Sequence, residues 1–223
     1  AGLKRLLAST FGRLSGKKGE VDGAEHGVVR FQTSFGGGKT HGLIAAYHLA
    51  KGARPLAIGE FIDPDLLPDT CQVAAVVGDT IDPSTGIEVN GRRVRTMWGA
   101  IAAQLGDEAW AKVEQQDHNR TAPGTETWVE IFEAAPTLVI IDEVAAHMRA
   151  LGSSGDPDIR RQADAMPSFL FSLFTAAARV GHARVIITLA TEHDAFAAET
   201  AAVSKLLDTD TTAGAETESV LAR

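Results

Sequence analysis

Hydrophobic residues along this chain alternate between two textures. Short, largely apolar runs of the kind buried on both faces of a parallel sheet occur at 28–31, 72–77, 137–141 and 184–189. Between them apolar positions recur at helical spacing, which predicts helices over 3–14, 41–51, 98–105, 108–113, 125–134, 144–151, 159–180 and 195–207. Strands that alternate with helices predict an α/β domain of three layers around a mainly parallel central sheet. Gly52 and Pro55 stop the second helix, Pro167 interrupts the helix over 159–180, and Thr127 with Glu130 have capping-box spacing near the start of 125–134. Ile87 to Val89, then Asn90-Gly91, then Arg92 to Arg95 predict an inserted β-hairpin, because Asn and Gly tolerate the positive φ of a tight primed turn. The plan is a lead-in helix and polar linker (1–27), a core (28–207) and a polar tail (208–223), with no internal repeat.

The first strand empties into Thr33, Ser34, Phe35, Gly36, Gly37, Gly38, Lys39 and Thr40, and a helical pattern follows directly. That order leaves a row of free backbone N–H groups at a helix N-terminus, which with one lysine can hold the β- and γ-phosphates of a nucleotide. Gly36, Gly37 and Gly38 allow the backbone to approach an anion without a Cβ in the way. Lys39 supplies a point charge, and Thr40 a hydroxyl suited to the Mg²⁺ that bridges the phosphates. The G-x-x-x-x-G-K-[ST] pattern places a glycine where this chain has Thr33, so the expectation is an altered turn and a retained phosphate site. His41 is counted in the cofactor-binding set with Gly36, Gly37, Gly38, Lys39 and Thr40, although a histidine in a first helical turn is more often a packing or solvated residue.

The run Leu138 to Ile141 ends in Asp142 and Glu143, so a central strand would deliver two carboxylates at its C-terminal tip. Beside a phosphate loop, Asp142 is placed to hold Mg²⁺ and Glu143 to orient and deprotonate an attacking water, making Glu143 and Lys39 the candidate catalytic pair. The bland alternative is that Asp142 caps the following helix. Lys39 and Asp142 are 103 positions apart in the numbering, with the 72–77 strand between them. That spacing admits an extra strand between the two motif strands, as in the additional-strand (AAA+/RecA-like) type of P-loop NTPase. In that type a polar residue on the next strand senses the γ-phosphate, and Thr188 and Thr191 are the two positions for it.

Composition narrows the partners. With 223 residues, 44% hydrophobic and 22% charged, the chain can build one α/β domain. A net charge of −8 gives no bulk basic field, so DNA is expected only indirectly or through other regions. The sole cysteine, Cys71, cannot form an internal disulfide and suits a reducing compartment. Neither a transmembrane-length apolar run nor a leader pattern is present, so a cytoplasmic protein without a membrane partner is expected. The loop Arg120 to Thr125 could approach a substrate but reads first as a helix lead-in. His118, His147, His182 and His193 have no metal-cage spacing.

The strings FGGGKTHGLIAAYHLA, TMWGAIAAQLG, RTAPGTE and VIIDEVAAHMR occur in one order. Together they resemble the N-terminal P-loop ATPase domain of a domain-of-unknown-function family of large prokaryotic AAA+-like ATPases, associated with DNA methyltransferases in phage-defence clusters (PglY/BrxC-like). The resemblance spans most of 28–207. It implies Mg-dependent ATP binding and hydrolysis by one module of a larger defence or DNA-processing protein, with other defence-system subunits or a second copy of the chain as partners. A nucleotide-gated interaction module with little or no hydrolysis is the alternative. A GTPase is disfavoured because Thr191, Glu192, His193, Asp194 lacks the asparagine and lysine of a guanine-reading motif.

Overall fold

Among the described residues the computed structural model has seven strands: β1 (Val28–Gln32), β2 (Gln72–Val77), β3 (Ile87–Val89), β4 (Arg92–Val94), β5 (Thr137–Asp142), β6 (Ala183–Leu189) and β7 (Thr217–Leu221). The structure describes residues 2–17, 19–32, 39–189, 199, 201–205 and 217–221. Five strands form one sheet in the order β2-β5-β6-β1-β7, with every neighbouring pair parallel. The strand that comes between β1 and β5 in space is therefore β6, while β2, which comes between them in sequence, lies at the edge. β5 and β6 are buried almost end to end, as strands covered on both faces must be.

The helices are α1 (Gly2–Leu14), α2 (Lys39–Ala50), α3 (Met97–Leu105), α4 (Asp107–Asn119), α5 (Thr125–Glu133), α6 (Val144–Gly152) and α7 (Pro157–Arg179). Strand side chains alternate between two faces, and the two cores follow that alternation. Val29, Phe31, Leu138, Ile140 and Ile186 pack with α1 and α2. Val28, Val139, Ile141, Val185 and Ile187 pack with α3, α5, α6 and α7. The result is the expected three-layer α/β architecture. α1, expected as a lead-in, buries Leu6, Leu7, Phe11 and Leu14 in the first of these cores. Among the described residues no helix is long and apolar enough to cross a membrane.

Several expectations change in detail. Asn90 and Gly91 have φ of 49° and 76°, and β3 and β4 form the separate hairpin that their turn demands. α7 runs through Pro167 without a break: the proline is on the exposed side, where the carbonyl it leaves unpartnered can meet water, while Met166, Phe169 and Leu170 hold the helix to the core. α5 starts at Thr125 behind Gly124 with no side-chain cap, so Thr127 and Glu130 form no capping box, and Glu130 instead pairs with Lys112 at 2.5 Å. Residues 217–221, within the expected polar tail, add β7 beside β1. The last predicted helix is described only at 199 and 201–205, where it is helical.

Two buried arginines tie the N-terminal edge of the sheet together. Arg13 of α1 is 1% exposed. Its Nε donates to the Ala183 carbonyl at 2.6 Å, Nη1 to Glu25 at 2.6 Å, and Nη2 to Ala177 at 2.6 Å and Val180 at 2.9 Å. One guanidinium thus satisfies carbonyls at the end of α7, which its helix cannot pair, and others from two further segments. Burial lowers the Arg13 pKa to about 10, against the pull of Glu25. Arg184 of β6, fully buried, donates to the carbonyls of Gly23 and His26 and to Ser9 Oγ.

At the other edge, His147 of α6 is fully buried, and neither ring nitrogen has a partner in hydrogen-bonding geometry among the described residues. Burial lowers its pKa to about 4, with the Gly78 backbone pulling weakly the other way.

Two outcomes follow for stability. Arg13→Met keeps the apolar stem but leaves several buried carbonyls unpaired, so the unfolding free energy in urea should fall by at least about 3 kcal/mol. His147, neutral when folded, binds its proton more readily in the unfolded chain, so its contribution is complete above pH 6.5 and is lost as pH falls toward 4. The slope is at most about 1.4 kcal/mol per pH unit. Urea midpoints across that range should show this dependence in the wild type and a flatter one in His147→Leu.

Candidate functional site

Because all strands of the main sheet run the same way, their C-terminal ends share one rim, and the loops that follow them open there. Asp142 ends β5, and Thr188 lies one residue before the end of β6. The register Ile141↔Ile187 sets the two side by side, and both side chains fall on the face against which α2 packs. The Thr188 hydroxyl donates to Asp142 Oδ1, and Thr188 is 4% exposed. The register Phe31↔Thr188 brings this same threonine to the end of β1, where the glycine-rich loop begins.

Glu143 follows in a left-handed conformation, with φ 54° and ψ 35°. For a residue with a Cβ that backbone costs about 1–2 kcal/mol, a cost found disproportionately at functional positions. The turn aims the Glu143 N–H back at the strand ends, where it donates to Asp142 Oδ1 at 3.1 Å and to Thr188 Oγ1 at 3.4 Å. Behind it, the 3-10 turn Gly78–Thr80 after β2 packs against α6. A Cβ at Gly78 would lie 2.3 Å from the Glu143 carbonyl oxygen, so only glycine fits there.

This arrangement decides against the capping reading of Asp142. α6 begins at Val144 with Glu143 as its N-cap and no side-chain cap bond. The Asp142 carboxylate is held at Oδ1 by Thr188 and Glu143, and no hydrogen bond reaches Oδ2 among the described residues. Thr40, exposed in the first turn of α2, shares a cavity of about 190 Å³ with Asp142, Ile44, Tyr47 and Val77. The surface of that cavity is almost wholly apolar, so what suits a hard divalent cation is the unspent carboxylate oxygen of Asp142 together with the hydroxyl-bearing Thr40 at the same cavity, completed by other oxygens.

Of the residues singled out from the sequence, Thr40, Asp142, Glu143 and Thr188 come together on this rim. Lys39 opens α2. Its side chain lies outside the described residues, as do Thr33, Ser34, Gly36, Gly37, Gly38 and Thr191. His41 is exposed and is not among the residues lining the cavity with Asp142. Gly78 and His147, which back the Glu143 turn, form a pair that sequence reasoning does not single out. The faint signal for it is a histidine four positions after Glu143 on an apolar helix face.

A search of curated proteins finds no match to the chain. A family model described as the DUF499 N-terminal domain matches residues 2–205, which takes in α1, the rim residues and the helical residues after β6. The match runs over nearly the whole chain, and the chain belongs to the family of DUF499 N-terminal domains.

Proposed function

We propose that this domain binds Mg-ATP and hydrolyses it, as one module of a larger prokaryotic phage-defence or DNA-processing protein. The observation that carries the reading is the state of Asp142: its carboxylate is held by Thr188 and the Glu143 N–H rather than spent on a helix cap, and it shares a cavity with Thr40. The strand order supports the additional-strand type of P-loop NTPase, since β6 lies between β1 and β5 and carries a polar residue to the rim. In this reading Lys39 and the backbone N–H groups of Gly36, Gly37 and Gly38 hold the phosphates, while Thr40 and Asp142 hold the magnesium. The metal, when bound, neutralises charge on the phosphate oxygens. Glu143 orients a water and accepts its proton.

The described residues gather no three His, Cys, Asp or Glu side chains into a metal-binding group. A cation at Asp142 would therefore draw on few protein oxygens, which fits magnesium with phosphates and water completing its shell. The AAA+-like resemblance supports neighbouring subunits or a second copy as partners, and contact with DNA through them.

Phosphate release and ATP affinity should be measured on the wild type and on two variants. Glu143→Gln should lower turnover by about 10²–10⁴-fold with affinity retained. An equal, near-zero rate in both proteins alongside tight ATP binding would replace hydrolysis by a nucleotide-gated interaction module. Thr188→Val removes the hydrogen bond that holds Asp142 and should lower turnover by about tenfold or more, with an increased magnesium requirement as the accompanying sign.

A further inference from the structure

Three arginines from separate parts of the chain line one cavity of about 430 Å³ on the other side of the sheet. Arg95 follows β4, Arg120 follows α4, and Arg161 lies near the start of α7, with His118 and Asp158 beside them. In a chain of net charge −8, three guanidiniums against Asp158 in the lining and the buried Asp117 behind Arg95 are still a local excess of positive charge. Asp158 engages Arg161 at 3.2 Å. The other two meet neutral acceptors: Arg95 donates to the His118 carbonyl at 3.4 Å, and Arg120 to Gln162 Oε1. Arg95 is also drawn to the buried Asp117 carboxylate, which accepts its backbone N–H, whereas among the described residues no carboxylate pairs with Arg120.

Arg120 is held in place. It ends α4 in a left-handed conformation, φ 55°, where glycine or asparagine is the ordinary choice. Its partner Gln162 is fully buried, and the Gln162 amide nitrogen has no partner among the described residues. A fixed guanidinium costs less entropy to recruit than one that must be ordered on binding.

The cavity also has a definite place in the fold. α7 has 23 residues, roughly 34 Å of helix, and its C-terminal end feeds β6, so its start lies toward the rim that carries Asp142 and Thr188. α5 begins just after Arg120 and feeds β5 in the same sense.

We propose that this cavity is a phosphate-group site whose donors are Arg95, Arg120 and Arg161, taking a phosphodiester of a nucleic acid strand or a free phosphate. A phosphate offers several oxygens to guanidinium forks at once, whereas a single carboxylate satisfies about one. The site does not rest on the hydrolysis reading, and its readout is binding.

The test uses the intact protein in a Lys39→Ala background, which weakens the glycine-rich loop. Fluorescence anisotropy of labelled single-stranded and duplex oligonucleotides would be measured across salt concentrations, and NMR of arginine Nε–Hε signals would follow a titration with inorganic phosphate. Arg95→Ala combined with Arg161→Ala, both on exposed side chains, should weaken binding by about tenfold per guanidinium removed. The slope of log affinity against log salt should shrink by about 1 for each phosphate left without its guanidinium. Lys112→Ala, on α4 but outside the cavity, should change neither. Oligonucleotide binding that is weakened in this way identifies nucleic acid as the source. Shifts of the arginine signals with phosphate alone, abolished in the double variant, identify free phosphate. Absence of both responses, or binding that the folded double variant retains undiminished, would overturn the proposal.

Discussion

The Arg13 guanidinium stands where four segments meet: the end of α1, the stretch before β1, the last carbonyls of α7 and the first residue of β6. α1 contributes the guanidinium and the other three contribute backbone oxygens left over from helix and strand pairing, with no water in the interior to take its place. A neutral donor would leave most unpaired, and a lysine would present a compact ammonium rather than a planar fork. Arg184 repeats the device one residue into β6, reaching Gly23, His26 and Ser9. The two charges are buried because backbone carbonyls surround them. Helix and loop are thereby fixed against the two strands, β1 and β6, whose other ends carry the glycine-rich loop and Thr188.

With one edge pinned, parallel pairing carries the geometry to the opposite rim. Residue-by-residue register from Val28↔Val185 to Phe31↔Thr188, and from Thr137↔Ala183 to Ile141↔Ile187, leaves little freedom in where Asp142 and Thr188 meet. Freedom returns only beyond the strand ends, and there the chain spends strain. Glu143 adopts a left-handed backbone, the turn after β2 presses Gly78 against its carbonyl, and His147 is buried neutral behind both. These three features are unfavourable taken singly, and they gather around Glu143, the residue proposed to separate turnover from binding.

How much of this was legible from the sequence depended on whether a feature is local. The strands at 72–77, 137–142 and 183–189 could be read because continuous burial writes a continuous apolar run. The hairpin could be read because Asn90-Gly91 has a direct backbone meaning. The Asp142, Glu143 pair stood out because a strand so apolar seldom ends in two acids. The arginines were illegible: a lone Arg13 in a basic amphipathic helix looks solvated, and its acceptors are carbonyls, which every residue has. Pro167 misled because propensity speaks for an isolated helix, whereas packing on both sides of it carried the helix through. β7 was missed because Thr217 to Leu221 has apolar residues only at its end and gains its place from pairing with β1 and contact with α1.

The placement of β6 has a consequence for how the molecule comes into being. β1 has no strand neighbour until β6 exists, and their register pairs Val28 with Val185, 157 positions later. At ribosomal rates of 5–20 residues per second, the segment leading into the glycine-rich loop waits roughly 8–30 seconds beside a growing chain. During that interval β2 and β5 can already pair with each other, since their register links Gln72 with Thr137. The rim is thus completed from its far side inward. Contacts of such long sequence separation slow folding, and the strand that leads into the glycine-rich loop is among the last parts of the sheet to be enclosed.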